Sequence, residues 1–342
     1  MNCCANCFKD IELKGFINNN SNAIGDCDYC NTKNTQIIDP TELQDQFADL
    51  CDLYQIEQND GTDFFDLIQK DWNIFNVEGI DQETSRELLY NIFDGLDTIY
   101  IDIVNSNVVM ATSEETKELI YQWEVFKDEI KYKNRFFPEN KIDFEYLEDV
   151  FPRRYYDRGK NFYRSRISPT IDGYEPKNMG KPPRQFTSSG RANPKGISYL
   201  YLAQSKETTF YEARSTFLDY VSIGKFKLLE KVQLVTLRPS HQTSPFSENF
   251  NVKKFVKYKE VLELFEKELS KPLRRQDDDL DYLPTQYLCE FIKSLGYKGV
   301  EYGSSLHDGG INFVFFDDTV FSCVSSKVYE VSKIKMEYKE VN

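Results

Sequence analysis

Four cysteines and one strand–turn–helix stretch carry the chemistry that can be read directly from this chain. Cys4-Ala5-Asn6-Cys7 and Cys27-Asp28-Tyr29-Cys30 are two C-x2-C knuckles separated by nineteen residues. Each knuckle brings two thiolates to one ion, and four thiolates close a tetrahedral structural zinc site. Cys3 is an alternative to Cys4, although it would make a C-x3-C hook; a redox pair and chance clustering are the other readings. A closed four-thiolate site has no open coordination position, so its work is folding and not catalysis. The second stretch runs from Gly190 to Arg214. Gly190, Pro194 and Gly196 punctuate a loop, and Ile197, Tyr199, Tyr201 and Ala203 alternate as one face of a strand. Thr208-Thr209-Phe210-Tyr211-Glu212 then opens a helix. One tyrosine and one carboxylate near an arginine-rich loop can hold an anionic ligand that carries an aromatic group. An ordinary surface turn feeding a core strand is the plainer reading of the same residues.

Charge sets the second stretch apart. The 342 residues carry a formal net charge of −14, which argues against general nucleic-acid binding. Residues 41–100 hold 15 acidic against 2 basic side chains, whereas residues 153–196 hold 11 basic against 3 acidic. A local excess of that sign in an acidic protein suggests an anionic ligand or an intramolecular acidic partner; a solvated loop with scattered lysines is the alternative. Seven of the eleven are arginines, whose guanidinium fork matches phosphate oxygens. Between the knuckles only Lys9 and Lys14 are basic, so direct DNA binding there has little support. No basic start leads into an apolar run, and no stretch reaches the ~18 apolar residues needed to span a bilayer. A cytoplasmic protein is expected, where clustered thiols more often hold metal than pair as disulfides.

The elements that must position these residues fall into two kinds. From about Thr41 to Val150 the periodicity is helical. Thr41 and Gln44 have capping-box spacing, and segments 63–72, 82–96 and 113–132 continue the pattern, with Leu119, Trp123, Phe126 and Ile130 as one stripe. These aromatics read as helix-packing core. Prolines at 138 and 152 mark a boundary within 142–156. Beyond it, strands at 161–167, 199–203, 226–237, 299–302, 311–316 and 320–331 mix with helices at 208–218, 252–269 and 284–295, the pattern of an α+β domain. Three domains are expected: a zinc-binding segment over 1–38, a helical domain over 39–152 and an α+β domain over 153–342. Cys51, Cys289 and Cys323 sit in apolar patterns and read as core. No G-x-G-x-x-G or P-loop occurs, and a Cys–His or Ser–His pair would need His241 or His307.

Three separated blocks resemble the RES domain family, named for its Arg, Glu and Ser positions. Phe162-Tyr163-Arg164-Ser165-Arg166 is similar to its arginine segment, and the run from Gly190 through Tyr201 to Thr208-Thr209-Phe210-Tyr211-Glu212-Ala213-Arg214 to its glutamate segment. Pro284-Thr285-Gln286-Tyr287, Gly296 through Gly303-Ser304-Ser305, and Gly310-Ile311-Asn312-Phe313 resemble its serine segment. The resemblance covers roughly 155–325. The region before it resembles the helical HEPN-related domain found fused to RES domains. Many HEPN nucleases carry an Arg followed four to six residues later by His; both histidines here lie outside the region, so ribonuclease action by that route has no support.

The RES resemblance implies the split-sheet fold shared with ADP-ribosyltransferases, and an NAD+-consuming enzyme of the kind found as the toxin of toxin–antitoxin pairs. Cleaving the nicotinamide–ribose bond creates an oxocarbenium-like centre that a carboxylate favours. Glu212 is the implied carboxylate. Tyr201 would stack on a ring of the dinucleotide, Arg164 would pin the pyrophosphate, and Ser304 would orient the ribose or backbone. Arg191, Asn193 and Ser305 are further candidate NAD contacts, Ser305 also being the alternative family serine. Each has a local rival: Arg166 for Arg164, Tyr199 for Tyr201, and Glu207, which would cap the helix, for Glu212. An NAD+ glycohydrolase or phosphorylase is expected. ADP-ribosyl transfer to a macromolecule and a non-enzymatic zinc-ribbon interaction protein are the alternatives. An antitoxin or regulatory partner is implied, though the N-terminal half could itself supply restraint, and a homo-oligomer stays open. Phe210, two residues before Glu212, lacks the Glu or Gln that often marks arginine-directed transferases.

Overall fold

The computed structural model describes residues 1–111, 114–140, 142, 148, 151–238, 244–247, 251–272 and 279–335. His241, and 143–147 and 149–150 of the expected boundary interval, lie outside the described residues. The chain forms two compact units, one of residues 1–117 with 239–260, the other of 118–238 with 261–342.

The first unit opens with the knuckles. β1 (Cys3–Cys4) leads into a 3-10 turn, Ala5–Cys7, and then the helix Ile11–Asn20. Asp10 caps that helix by accepting from Glu12 N and Leu13 N, satisfying donors that a helix start leaves open. β2 (Ala23–Gly25) and β3 (Thr35–Ile38) complete a three-stranded sheet in the order β1-β3-β2. The helices Gln44–Cys51, Phe64–Trp72, Gln82–Ile92 and Thr98–Val104 follow. The capping box lies two residues before the expected one: Asp39 and Glu42 make it, while Thr41 donates both its amide and its hydroxyl to Asp39. Helical periodicity did not reveal a small second sheet of β4 (Tyr54–Ile56), β5 (Thr62–Asp63) and β6 (Asn107–Met110), because strands of two to four residues are too short to show alternation. Phe47 sits at the centre of the core, in ring contact with Phe75, Phe93 and Phe246.

The second unit is built on one eight-stranded sheet. Its strands are β7 (Arg153–Tyr156), β8 (Asn161–Ser168), β9 (Leu200–Ala203), β10 (Tyr220–Leu228), β11 (Val232–Thr236), β12 (Gly299–Gly303), β13 (Ile311–Phe315) and β14 (Phe321–Glu330). Their spatial order is β14-β10-β8-β9-β13-β12-β11-β7, and only β11 and β12 run parallel. The single strand expected over 226–237 is two strands with a turn at 229–231, and β7 was not anticipated. Phe162, Phe313, Phe315 and Phe321 pack edge to face in the core, each worth about 1.5–3 kcal/mol when buried. Trp123 and Phe126, from the helix Glu114–Tyr132, meet Phe265 and Tyr287 respectively.

The sheet is nearly divided. β8 pairs with β10 along its whole length from Asn161 to Ser168, but it meets β9 only where Tyr163 faces Ala203. Two blocks, β14-β10-β8 and β9-β13-β12-β11-β7, therefore part where a continuous ladder would close the surface, and a cleft opens between them.

Candidate active site

Each strand beside the division contributes to the cleft. A cavity of about 310 Å3 is walled by Tyr163 and Arg164 of β8, Tyr201 of β9, Tyr302 of β12, Asn312 of β13, and Glu212. Glu212 ends the helix Lys206–Glu212, which starts where Ser205 Oγ accepts from Thr208 N. Ser165 Oγ donates to Thr209 O at 2.7 Å and ties that helix to β8. A second cavity of about 290 Å3 shares Tyr201, Glu212, Tyr302 and Asn312 with the first and continues past Arg191, Arg214 and Lys271. Glu212 stands at the junction of the two.

Two hydrogen bonds hold that carboxylate. Ser304 Oγ donates to Glu212 Oε1 at 2.6 Å and Asn312 Nδ2 donates to the same oxygen at 2.7 Å. Ser304 is itself fixed, because its Oγ accepts from the amides of Leu306 and His307. Asn312 is only 5% exposed, on an otherwise apolar strand. Both bonds to Glu212 go to one oxygen, and Glu212 lines both cavities. His307 does not pair with Ser304 through its ring: Nδ1 lies 3.0 Å from Thr208 Oγ1 and the imidazole stacks on Tyr211.

Arg164 supplies the positive charge. Its Nη1 is buried without a hydrogen-bond partner, and burial, reinforced by the nearby Arg166 cation, pushes the guanidinium down to about 10. A buried cation without an anion is costly and calls for one. Arg166 is committed elsewhere: it donates to Asn178 O and lies over the Tyr174 ring at 4.6 Å. Tyr201 and Tyr302 are pushed well above the usual phenol range by burial, so both remain neutral aromatic walls.

The loop before β9 is locked from within. Tyr201 Oη donates to Asn193 Oδ1 at 2.6 Å, and Asn193 Nδ2 donates to the carbonyls of Ser188 and Pro194. Gly190 allows this closeness, since a Cβ there would stand 2.7 Å from Asn193 Oδ1 and 3.1 Å from the Tyr201 hydroxyl. Gln286 Nε2 donates to Ser189 Oγ, Gly190 O and Asn193 O, and Thr285 Oγ1 donates to Arg191 O. Arg191 lies over the Tyr282 ring at 5.2 Å.

The structure thus gathers Arg164, Arg191, Asn193, Tyr201, Glu212 and Ser305 along the two cavities, with Ser304 bonded to Glu212. Ser305 Oγ donates to Ser270 O. Tyr199 packs on Phe316 and Glu207 stays exposed in the first helical turn, neither of them lining the cleft. Sequence reasoning gave no role to Asn312, Gln286 or Tyr302. A lone amide within the apolar run Ile311–Phe315, and another on the apolar helix Leu283–Ser294, were the available signals.

The cysteines form a separate centre. Cys4, Cys7, Cys27 and Cys30 place their Sγ atoms within 4.8 Å of one another, with Cys4–Cys30 and Cys7–Cys27 each at 3.4 Å. Tetrahedral zinc with Zn–S of about 2.3 Å needs sulfurs about 3.8 Å apart, so the set fits that ion. Hydrogen bonding among the thiols pushes Cys4 up to about 12, with Cys27 the largest cause, and lowers Cys27. Cys3 is buried but outside the cluster. Asn76 N donates to Cys7 O, and Asn91 Nδ2 to the hydroxyl of Tyr29, so the knuckles are bonded to the helical part of the first unit.

Among the described residues no helix is long and apolar enough to cross a membrane. No curated protein matches the chain. The crystal structure of the M. tuberculosis MbcT-MbcA toxin-antitoxin complex is similar at 15% identity, over 54% of this chain and 90% of that chain, with a TM-score of 0.31. The HEPN/RES N-terminal domain 1 family matches residues 20–143. The RES domain family matches residues 163–337, more than half of the 342 residues and the whole of the Arg164–Glu212–Ser304 constellation, and the chain belongs to that family.

Proposed function

We propose that the protein cleaves the bond between nicotinamide and ribose in NAD+. The observation that supports this most is Glu212, held through one oxygen by Ser304 and Asn312, at the junction of two cavities that Arg164 and Tyr201 line. The pyrophosphate would take the unpartnered Arg164 Nη1. Tyr201, held by Asn193, and Tyr302 would flank a ring of the dinucleotide. As the C–N bond breaks, its electron pair leaves with neutral nicotinamide and positive charge develops on the ribose. The free oxygen of Glu212 would favour that charge, and Ser304 and Asn312 would hold the carboxylate where the charge appears instead of reorganising during the step. Water adding to the ribose carbon and losing a proton gives ADP-ribose. Phosphate or a macromolecular acceptor could take water's place. Phe210 packs on Tyr329 where arginine-directed transferases often have a carboxamide or carboxylate, which favours the smaller acceptors.

Arg191 and Asn193 then act mainly by shaping the loop, and zinc on Cys4, Cys7, Cys27 and Cys30 acts as a structural ion in the first unit. Depletion of NAD+ would make the protein toxic to its own cell, so a restraining partner or domain belongs to the same proposal. Incubating the purified full chain with NAD+ and following nicotinamide release is the test. Release with matching NAD+ loss is expected. No release in water, in phosphate or with cell extract supplied as acceptor would sink the reading.

A further inference from the structure

A third cavity, of about 260 Å3, adjoins the first through Tyr163. Register explains its composition. Tyr163, Lys225 and Ser325 face one another in a row across β8, β10 and β14; Ser165, Ile223 and Lys327 form the next row on the same face. Lys206 adds a third ammonium from the seven-residue helix, with its Nζ 6.0 Å from the Tyr329 ring centre. No acidic side chain lines this cavity, and none of the three lysines forms an ion pair among the described residues. That is unexpected in a chain with 56 acidic residues, since neighbouring like charges on adjacent strands repel. A bound dianion would remove the repulsion.

The order of the cavities suggests which anion. Glu212 lies at the end of the first cavity that joins the second, and Tyr163 at its border with the lysine cavity. Tyr163 and Arg164 lie on opposite faces of β8 yet both line the first cavity, so a dinucleotide with its nicotinamide ribose at Glu212 and its pyrophosphate at Arg164 would run on past Tyr163. We infer that the lysine cavity receives the adenosine end of the substrate and binds a phosphate monoester there, so that the preferred substrate is a dinucleotide phosphorylated on the adenosine ribose, NADP+ in place of NAD+. This rests on the proposed NAD+ cleavage for its orientation but not for its binding chemistry.

Binding to the full chain separates the two. Calorimetry should show adenosine 2′,5′-bisphosphate binding at least tenfold more tightly than adenosine 5′-monophosphate, with the difference lost in the Lys225→Ala/Lys327→Ala double variant. In turnover, the parent should cleave NADP+ with a kcat/KM about tenfold above that for NAD+. The double variant should lose that preference through slower NADP+ turnover, with its circular dichroism spectrum unchanged. Equal binding of the two nucleotides, a preference that survives the double substitution, or inorganic phosphate competing at the same concentration as the bisphosphate would overturn the assignment. A parent that cleaves neither dinucleotide yet shows lysine-dependent bisphosphate binding would defeat the cleavage reading and leave the phosphate site standing.

Discussion

The four cysteines come from two hooks within the first thirty residues, whereas the cleft around Glu212 draws on β8, β9, β12, β13, one short helix and the loop at 188–193. In the first case the ligand chemistry dictates the spacing: two thiolates can reach one ion from adjacent turns only at short separation. In the second, no local rule links Arg164 to Glu212 or Ser304. They meet because antiparallel neighbours bring distant segments into register, and because β8 and β9 separate after a single paired position. A metal site can be complete in local sequence; a cleft is a property of the sheet.

Removing the metal should produce the largest change. Zinc binding by structural cysteine sites is worth about 10–16 kcal/mol in small peptides, and part of that would be lost as folding energy from the first unit. Metal analysis of the purified chain should give close to one zinc, and Cys27→Ser should abolish stoichiometric binding and lower the melting temperature. Unchanged zinc content in that variant would rule out the four-thiolate set.

Glu212→Gln is next. The amide keeps size and some hydrogen bonding but loses the charge, so nicotinamide release should fall by roughly 10²–10³, or about 3–4 kcal/mol, with circular dichroism unchanged. If Glu212→Gln turns over normally while Glu207→Gln is inactive, the exposed carboxylate of the first helical turn is the true one. Arg164→Ala should act on binding: losing a charged hydrogen bond to the pyrophosphate costs about 1.5–3 kcal/mol, seen as a rise in KM larger than the fall in kcat. The reverse split would mean that Arg164 works in the chemical step.

Gly190→Ala should have a smaller effect of about 1–3 kcal/mol, through strain where the new methyl meets Asn193 and Tyr201. Lower stability and weaker dinucleotide binding are both expected; parental values in both would show that the loop adjusts. Cys3→Ser should change zinc content least of all, because Cys3 lies outside the sulfur cluster. Loss of the metal there would transfer the ligand role from Cys4 to Cys3.

Much of the architecture was legible because it is local. Helical stripes such as Trp123, Phe126 and Ile130 and apolar runs such as Ile311–Phe315 declare themselves through periodicity and β-branched or aromatic content. β7 escaped notice because Arg153-Arg154-Tyr155-Tyr156 looks like a charged loop until Arg154 and Tyr156 are seen bonding to the fully buried Glu301. The same limit applied to the site. Its arginine, tyrosine, glutamate and Asn312 all stood in segments that resemble a family, but the role of Asn312 shows only in its bond to Glu212.

By itself, the sequence determined most of the element types, the two cysteine hooks and the three segments that carry the candidate chemistry, since short-range spacing and side-chain type suffice for each. Tertiary structure alone decided between rivals one or two residues apart. Arg164 lines the first cavity and keeps a buried nitrogen without a partner, while Arg166 is spent on Asn178 and Tyr174. Ser304, not Ser305, donates to Glu212. Neighbours in sequence share composition and period, so only the register of the strands and the break between β8 and β9 determine which of them faces the cavity.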